Sequence, residues 1–152
     1  MEPTKTIEEP VLPQPLAIQP EAYVKLSDAA LAKRILLVED NRINRTLLLK
    51  VLRNFGLTMV DVAVNGKEGV DMVKAAPSAY SLILMDTSMP IMSGLEATKE
   101  IRDMGLDVLI IALTAHALKV DRDSYLTRGF DGCLSKPVRR RDLQETLPKW
   151  LD

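Results

Sequence analysis

Short apolar runs alternate with amphipathic segments from about residue 33 to the end of the chain. Short apolar runs bounded by turn signals are typical of strands buried on both faces, and apolar stripes with a period of 3.6 residues predict helices. The predicted strands are Arg34–Glu39, Met59–Ala63, Leu82–Asp86, Val108–Leu113 and Gly132–Ser135. The predicted helices are about Asn41–Phe55, Asn65–Ala76, Gly94–Met104, Lys119–Arg128 and Arg139–Leu151. This alternation predicts an α/β fold, a doubly wound five-stranded parallel sheet with helices on both faces.

Local signals add detail to three of the helices. Asp40 or Asn41 can cap the first helix, and Ser93 with Glu96 has the spacing of a capping box. Pro148 lies inside the last predicted helix, where it is expected to kink or end it. One face of the first helix is predicted to point inward, with the residues Leu47, Leu48, Val51, Leu52 and Phe55.

Residues 1–32 differ from the rest of the chain. They contain five of its nine prolines, Pro3, Pro10, Pro13, Pro15 and Pro20. Proline-rich segments without periodicity favour extended linkers. We therefore predict a flexible proline-rich linker at 1–32, with a helical turn at Ser27–Lys33, and a single domain at 33–152.

Composition narrows the class of protein. The net charge of −1 gives no support to nucleic-acid binding, and the basic run Arg139–Arg141 is expected to be a solvated helix start. The single cysteine excludes an internal disulfide and a multi-cysteine zinc site. No apolar run approaches the roughly 20 residues that span a bilayer. We expect a soluble cytoplasmic protein without membrane contact.

Polar side chains follow the apolar runs at four predicted strand ends. Glu39 and Asp40 follow the first strand, Asp86 ends the third, Thr114 follows the fourth and Lys136 follows the fifth. The carboxyl ends of parallel strands meet at one edge, and clustered carboxylates repel one another unless a cation is present. Oxygen ligands suit Mg²⁺. The pattern predicts a magnesium and phosphoryl site, although acids also occur at solvated helix starts and lysines are usually solvated.

The same positions form an ordered set of motifs. They are Val38-Glu39-Asp40-Asn41, Met85-Asp86 with Met89-Pro90 and Gly94, Leu113-Thr114-Ala115, and Ser135-Lys136-Pro137. On these motifs the chain resembles a response-regulator receiver domain of two-component phosphorelay signalling, with a flavodoxin-like (βα)5 fold. Asn44 and the run from Ala112 to Ala117 make it most like the receiver of a hybrid histidine kinase. The resemblance allows a C-terminal receiver of a larger membrane-bound kinase or a stand-alone receiver.

The resemblance implies a role for each matched residue. Asp86 would accept a phosphoryl group from a phosphohistidine, while Thr114 and Lys136 would bind that group. Mg²⁺ would be held by Glu39, Asp40, Asp86 and the backbone carbonyl of Ser88. The expected partners of this monomer are a histidine kinase or a histidine phosphotransfer protein. It would promote only its own phosphorylation and slow dephosphorylation, so it is not expected to be an enzyme.

Two other function classes stay open. A metal-dependent phosphohydrolase with an aspartyl nucleophile would also need the acid cluster, but such enzymes place a second Asp where this chain has Ser88. An interaction module that takes no phosphate is the other alternative, and the complete set of site residues argues against it.

Three residues call for separate hypotheses. Cys133 stands where most receivers carry Tyr or Phe. This difference predicts that phosphorylation changes the face formed by the fourth predicted helix, the fifth strand and the last helix only weakly. Cys133 itself is either a redox sensor or a buried structural thiol. His116 either tunes hydrolysis of the aspartyl phosphate or is an exposed loop residue. Ile43 either anchors a docked phosphotransfer partner or packs under the loop after Asp86.

Overall fold

The computed structural model describes residues 25–152 and has one parallel sheet with the strand order β2-β1-β3-β4-β5. The strands are β1 (Ile35–Val38), β2 (Val60–Ala63), β3 (Leu82–Asp86), β4 (Leu109–Thr114) and β5 (Gly132–Ser135). The helices are α1 (Asp28–Leu31), α2 (Arg42–Asn54), α3 (Gly66–Ala75), α4 (Gly94–Asp103), α5 (Lys119–Thr127) and α6 (Arg140–Leu151). The predicted doubly wound fold is confirmed, and the strand bounds agree with the predicted ones to within one residue.

Alternate residues of each central strand pack into two separate cores, one on each face of the sheet. In β1, Ile35 and Leu37 pack on one face, and Leu36 and Val38 pack on the other. The first core is completed from α1, α2 and α6 by Ala30, Leu48, Leu52, Leu143, Leu147 and Leu151. The second is completed from α3, α4 and the loop before β5 by Val70, Val73, Ala97, Ile101 and Phe130. Because successive side chains of a strand point to opposite faces, both cores require apolar residues at every position of the central strands.

The structure corrects one expectation about the helices and excludes one of the two alternatives for Pro148. Leu47 is 58% exposed and does not belong to the inward stripe of α2, whose buried residues are Leu48 and Leu52. A period of 3.6 residues puts position 47 at the edge of that stripe, where the sheet no longer covers it. Pro148 does not end α6, which continues to Leu151.

The start of the packed unit lies before residue 33. The predicted helical turn is confirmed as α1, capped by the Ser27 side chain, which accepts a hydrogen bond from the backbone of Ala30. Leu26 and Ala30 are buried in the first core, and Lys33 Nζ donates to the carbonyl of Leu151 at 2.5 Å. The boundary predicted at residue 33 therefore falls inside a packed segment, because proline content gave no sign of these contacts. The prolines of the predicted linker lie outside the described residues.

Within residues 25–152, none of the helices combines the length and the apolar character that crossing a membrane requires.

Candidate functional site at the switch point of the sheet

The strand order reverses at β1 and β3, and the predicted acidic residues meet there. Val38 pairs with Met85 in the β1–β3 register, so Glu39, Asp40 and Asp86 follow or end adjacent strands. One carboxylate oxygen from each of the three lies within 4.8 Å of the others. Glu39 and Asp86 are buried, and Asp40 is exposed. Ligands of open α/β sheets bind at this kind of crevice.

Lys136 joins the two buried acids. Its Nζ lies 2.9 Å from Asp86 Oδ1 and 3.0 Å from Glu39 Oε1. The peptide bond between Lys136 and Pro137 is cis, and the backbone N–H of Lys136 donates to the carbonyl of Thr114 at 2.8 Å. One ammonium group therefore faces carboxylates at the ends of two different strands, and the cluster keeps a net negative charge that a cation would offset.

The ionisation of Asp86 reflects this excess of negative charge. Burial and the neighbouring Glu39 carboxyl raise the pKa of Asp86, and they outweigh the opposing effects of Lys136 and the backbone N–H of Ser88. Burial acts to lower the pKa of Lys136, but the hydrogen bonds and charges of Asp86 and Glu39 dominate and raise it. Lys136 is therefore held as a cation, whereas the buried Asp86 carboxylate is not fully compensated by the protein alone.

Backbone contacts hold the acidic residues in place. The Asn41 side chain caps α2 by accepting from Asn44 N at 2.9 Å, and the Arg45 guanidinium donates to the Glu39 carbonyl at 3.0 Å. After β3, the backbone N–H of Ser88 donates to Asp86 Oδ1 at 3.2 Å. Arg45 carried no motif signal in the sequence, because its contact is to backbone and not to a side chain.

Helix α4 starts directly against β3. A Cβ at Gly94 would overlap the backbone carbonyl oxygen of Asp86, so only glycine allows this approach. The predicted capping box is confirmed: Glu96 N donates to Ser93 Oγ at 3.1 Å, and Ser93 N donates to Glu96 Oε1 at 3.3 Å. The glycine of the motif thus sets the distance between α4 and the acid cluster.

Thr114 ends β4 near the cluster but is bonded elsewhere. Its Oγ1 lies 2.7 Å from the hydroxyl of Tyr125 and accepts from the backbone N–H of His116 at 3.0 Å. The His116 residue is exposed, and its described contacts with Thr114 are through the backbone. Tyr125 was missed by sequence reasoning, because nothing in an exposed amphipathic helix marks a contact with a residue eleven positions earlier.

The remaining predicted residues lie around the site. Ile43 is 70% exposed on α2, so it is not packed under the loop after Asp86. Cys133 is half-buried in β5 beside the second core, and burial raises the pKa of its thiol against the lowering effect of Arg122. A thiol with a raised pKa has little of the thiolate that redox reactions need, which favours the structural interpretation.

The donor set fits a magnesium ion. Carboxylate oxygens are hard ligands, and Mg²⁺ is usually held by one or two protein carboxylates with several waters. Three carboxylate oxygens within 4.8 Å of one another can supply those contacts. Ser88, whose backbone carbonyl is the fourth expected ligand, lies two residues after Asp86. The cluster contains no nitrogen or sulfur ligand that would favour a transition metal.

The fold and this edge of the sheet define a receiver-type α/β domain, and comparison with known proteins supports that class. The sequence matches the Response regulator receiver domain family over residues 35–148. The chain is 47% identical over 130 residues to Two-component system protein A of Emericella nidulans, covering 86% of this chain and 19% of that protein. It is 42% identical over 118 residues to Two-component response regulator ORR41 of Oryza sativa, covering 77% of this chain and 93% of the relative.

Solved structures agree with this result. The receiver domain of Ssk1 from Saccharomyces cerevisiae, crystallised with the histidine phosphotransfer signaling protein Ypd1, has a TM-score of 0.72 at 34% identity; the match covers 78% of this chain and 88% of that one. The receiver domain of the sensor histidine kinase PA1611 from Pseudomonas aeruginosa, with magnesium coordinated in its active site cleft, has a TM-score of 0.69 at 40% identity; that match covers 78% and 97%.

The chain belongs to the response regulator receiver domain family, and it is a receiver domain of two-component signalling. Its relatives include Hybrid signal transduction histidine kinase I of Dictyostelium discoideum and Osmosensing histidine protein kinase SLN1 of Saccharomyces cerevisiae, of which the chain spans 7% and 10%. The chain thus spans only a small part of several of the proteins it resembles.

Proposed function

We propose that this receiver accepts a phosphoryl group from a phosphohistidine onto Asp86, with Mg²⁺ bound, and relays it to a histidine phosphotransfer protein. The observation that carries this proposal is the contact of Lys136 with both Asp86 and Glu39, at 2.9 and 3.0 Å, beside three carboxylates within 4.8 Å. A nucleophilic carboxylate, a fixed cation and a set of hard oxygen ligands are the parts that phosphoryl transfer needs.

The side chains have distinct tasks in this proposal. An oxygen of Asp86 attacks phosphorus, the P–N bond to the donor imidazole breaks, and its electron pair returns to nitrogen. Lys136 pairs with the phosphoryl oxygens, and the Thr114 hydroxyl donates a hydrogen bond to one of them. Mg²⁺, held by Glu39, Asp40, Asp86 and the Ser88 carbonyl, would neutralise charge on the transferring group.

An exposed apolar pair supports the relay step. Ile43 and Leu47 are four residues apart on α2, so their side chains are neighbours, and they are 70% and 58% exposed. The pair lies within two turns of the acid cluster at the helix start. Exposed apolar side chains of this kind act as anchors in small interfaces. We infer that a histidine phosphotransfer protein docks here, a partner of the same kind as the Ypd1 that is crystallised with the Ssk1 receiver domain.

Labelling with a phosphohistidine donor tests the acceptor. Asp86→Asn removes the nucleophile and should abolish labelling while the fold is kept. Asp71→Asn is the matched control, because Asp71 is an exposed acid paired with Lys67 on α3, and it should be labelled like the wild type. Labelling that persists in Asp86→Asn would move the acceptor to another residue. Asp40→Asn should accept phosphate more slowly and bind Mg²⁺ more weakly in a titration.

Acetyl phosphate with Mg²⁺, followed by intact mass, separates the function classes. A receiver gives a stable single adduct, a phosphohydrolase consumes the reagent in many turnovers, and an interaction module gives neither result. We propose the first outcome, for a monomeric signalling domain that is not itself an enzyme and acts in the cytoplasm.

Calorimetry with a histidine phosphotransfer protein tests the docking surface. Ile43→Ala should weaken binding by more than about 1 kcal/mol, because it removes an apolar anchor without changing the acid cluster. Val120→Ala is a suitable control, since Val120 is 72% exposed on α5, away from the proposed contact. Equal affinities for the wild type and Ile43→Ala would exclude Ile43 from the interface.

A further inference from the structure

The hydroxyl of Thr114 is turned away from the acid cluster. Thr114 alternates with Ala112, which packs in the second core, whereas Asp86 alternates with Leu84 of the first core. The Thr114 residue is 1% exposed, and its hydroxyl is bonded to Tyr125 and to the backbone of His116. Because this hydroxyl lies on the face opposite the Asp86 side chain, it must leave both contacts before it can donate to a group on Asp86.

Tyr125 is well placed to hold Thr114. Its hydroxyl lies 2.7 Å from Thr114 Oγ1. Its ring meets the buried Phe130 ring edge-on, with centroids 5.7 Å apart and an interplanar angle of 73°. Such pairs are a favoured aromatic geometry, so the ring is anchored while its hydroxyl reaches the end of β4.

The helix that carries Tyr125 is otherwise weakly attached. None of the residues of α5, as the structure describes it over Lys119–Thr127, is buried. The N-cap residue Leu118 makes no side-chain capping hydrogen bond within the described part of the chain. The Tyr125–Thr114 bond is therefore a tie between α5 and the sheet that can be made or broken at small cost to the core.

Strand β5, which pairs with β4, has no aromatic side chain at position 133 that could hold the Thr114 hydroxyl. Cys133 of β5 pairs with Ala112 of β4 and is directed to the same face as Thr114. A cysteine side chain neither fills the volume of an aromatic ring nor supplies a strong hydrogen bond. The aromatic hydroxyl near Thr114 comes from a helix instead of from β5.

We propose that Tyr125 is the positioning residue of Thr114 and couples phosphorylation to helix α5. In the unphosphorylated domain, Tyr125 holds the Thr114 hydroxyl away from Asp86. When a phosphoryl group on Asp86 attracts that hydroxyl, the 2.7 Å contact breaks, whichever hydroxyl donates in it, and α5 loses its tie to β4. This inference rests on the proposed function, because it requires the phosphoryl group on Asp86.

Tyr125→Phe tests the coupling, since it keeps the ring on Phe130 and removes only the hydroxyl. Amide NMR titrations with beryllofluoride and Mg²⁺ should show about twofold to tenfold tighter binding by the variant, the change expected when one competing hydrogen bond is lost. The α5 amide signals of the free variant should move toward their positions in the beryllofluoride-bound wild type. Their further change on binding should be smaller than in the wild type.

Two other variants separate this role from a structural one. Tyr80→Phe removes a hydroxyl with an equally short bond, 2.7 Å to Asp61, and should behave like the wild type in both measurements. Thr114→Val breaks the same contact from the opposite side. It should shift the free α5 signals as Tyr125→Phe does, but it should weaken beryllofluoride binding, because the hydroxyl that binds the phosphoryl group is gone.

The outcomes distinguish the inference from the proposed function. Wild-type affinity together with wild-type α5 shifts in Tyr125→Phe would overturn the inference alone. If the wild-type domain does not bind beryllofluoride in the presence of Mg²⁺, the proposed function fails and the inference fails with it. Tighter binding by Tyr125→Phe, with Tyr80→Phe unchanged, would establish the coupling.

Discussion

Helices α4 and α5 cover the same face of the sheet, and their N-cap residues have almost the same backbone conformation. Ser93 has φ −71° and ψ 164°, and Leu118 has φ −71° and ψ 163°. The serine forms a reciprocal capping box with Glu96, whereas the leucine has no side-chain oxygen to cap with. The two helices therefore begin with equal geometry and unequal stabilisation, since a side-chain cap contributes roughly 1 kcal/mol.

Burial increases this difference. Helix α4 buries Gly94, Ala97, Thr98 and Ile101, and its first residue is packed against the carbonyl of Asp86. Helix α5 buries none of its described residues and is tied to β4 by the hydroxyl of Tyr125. Elements with few buried contacts open at the lowest free-energy cost. Asp86 therefore lies beside the firmly packed helix α4, and the hydroxyl of Thr114 lies beside the loosely held helix α5.

Gly94→Ala should have the largest effect, because it disrupts the packing of α4, the more firmly held of the two helices, against Asp86. The added Cβ overlaps backbone at Asp86, and backbone cannot move aside as a side chain can. We expect the free energy of unfolding to fall by roughly 3 kcal/mol, at the upper end for overpacking, together with slower phosphorylation of the remaining folded protein. Urea denaturation measures the first change, and labelling by a phosphohistidine donor measures the second.

Gly132→Ala is the control for that substitution. A Cβ at Gly132 would lie 3.4 Å from Ile111 Cδ1, which is close to ordinary contact. The control should lose less than about 1 kcal/mol, as volume changes with room to relax do. Equal losses in the two variants would show that the approach of α4 to Asp86 is not a special constraint.

Asp86→Asn should stabilise the fold in the absence of Mg²⁺. The folded-state pKa of Asp86 is raised by burial and by Glu39, so the contribution of this group to stability is fully present below its unfolded pKa and is lost as the pH rises through the folded pKa. The amide is neutral and does not incur that loss. We expect a gain of about 0.5–2 kcal/mol at neutral pH, the usual size for relief of one unfavourable group.

Denaturation at several pH values and Mg²⁺ concentrations measures this effect. The advantage of Asp86→Asn should shrink at acidic pH, where Asp86 itself is protonated, and also with added Mg²⁺, which compensates the wild-type carboxylate. If the wild type is more stable than Asp86→Asn in metal-free solution at neutral pH, the protein alone already compensates the charge of the Asp86 carboxylate, and this interpretation is wrong.

Exchanging the caps should have the smallest effect and tests the comparison most directly. Ser93→Ala should lower the unfolding free energy by about 1 kcal/mol, whereas Leu118→Ser should raise the local stability of α5 by a similar amount. Leu118 is 73% exposed, and Asp121 stands three residues later, as Glu96 does after Ser93. Amide hydrogen exchange should slow in α5 of Leu118→Ser and become faster in α4 of Ser93→Ala.

The cap variants also bear on the coupling proposed for Tyr125. A capped α5 should move less when beryllofluoride binds, and the α5 shifts in the amide NMR spectrum should decrease. Unchanged exchange in both helices would mean that the caps do not account for the difference between them, and that burial alone does.

Most of the fold followed from the sequence because it depends on local patterns. The apolar run Leu82–Met85 ending in Asp86 gave the bounds of β3 correctly, since a strand buried on both faces needs apolar residues at consecutive positions. The meeting of Asp86 with Glu39 and Asp40 also followed, because the carboxyl ends of neighbouring parallel strands lie at one edge. Turn and cap chemistry located the start of α4 at Gly94.

Other features depended on how the elements pack. Helical period placed Leu47 with the inward stripe of α2, but the width of the covered face left Leu47 exposed beside Ile43. The Tyr125–Thr114 contact depends on the position of α5 over the end of β4. A sequence pattern specifies the angle of a side chain around its own helix or strand. The distance between side chains on different elements is set only when those elements pack together, and that distance decided what holds Thr114.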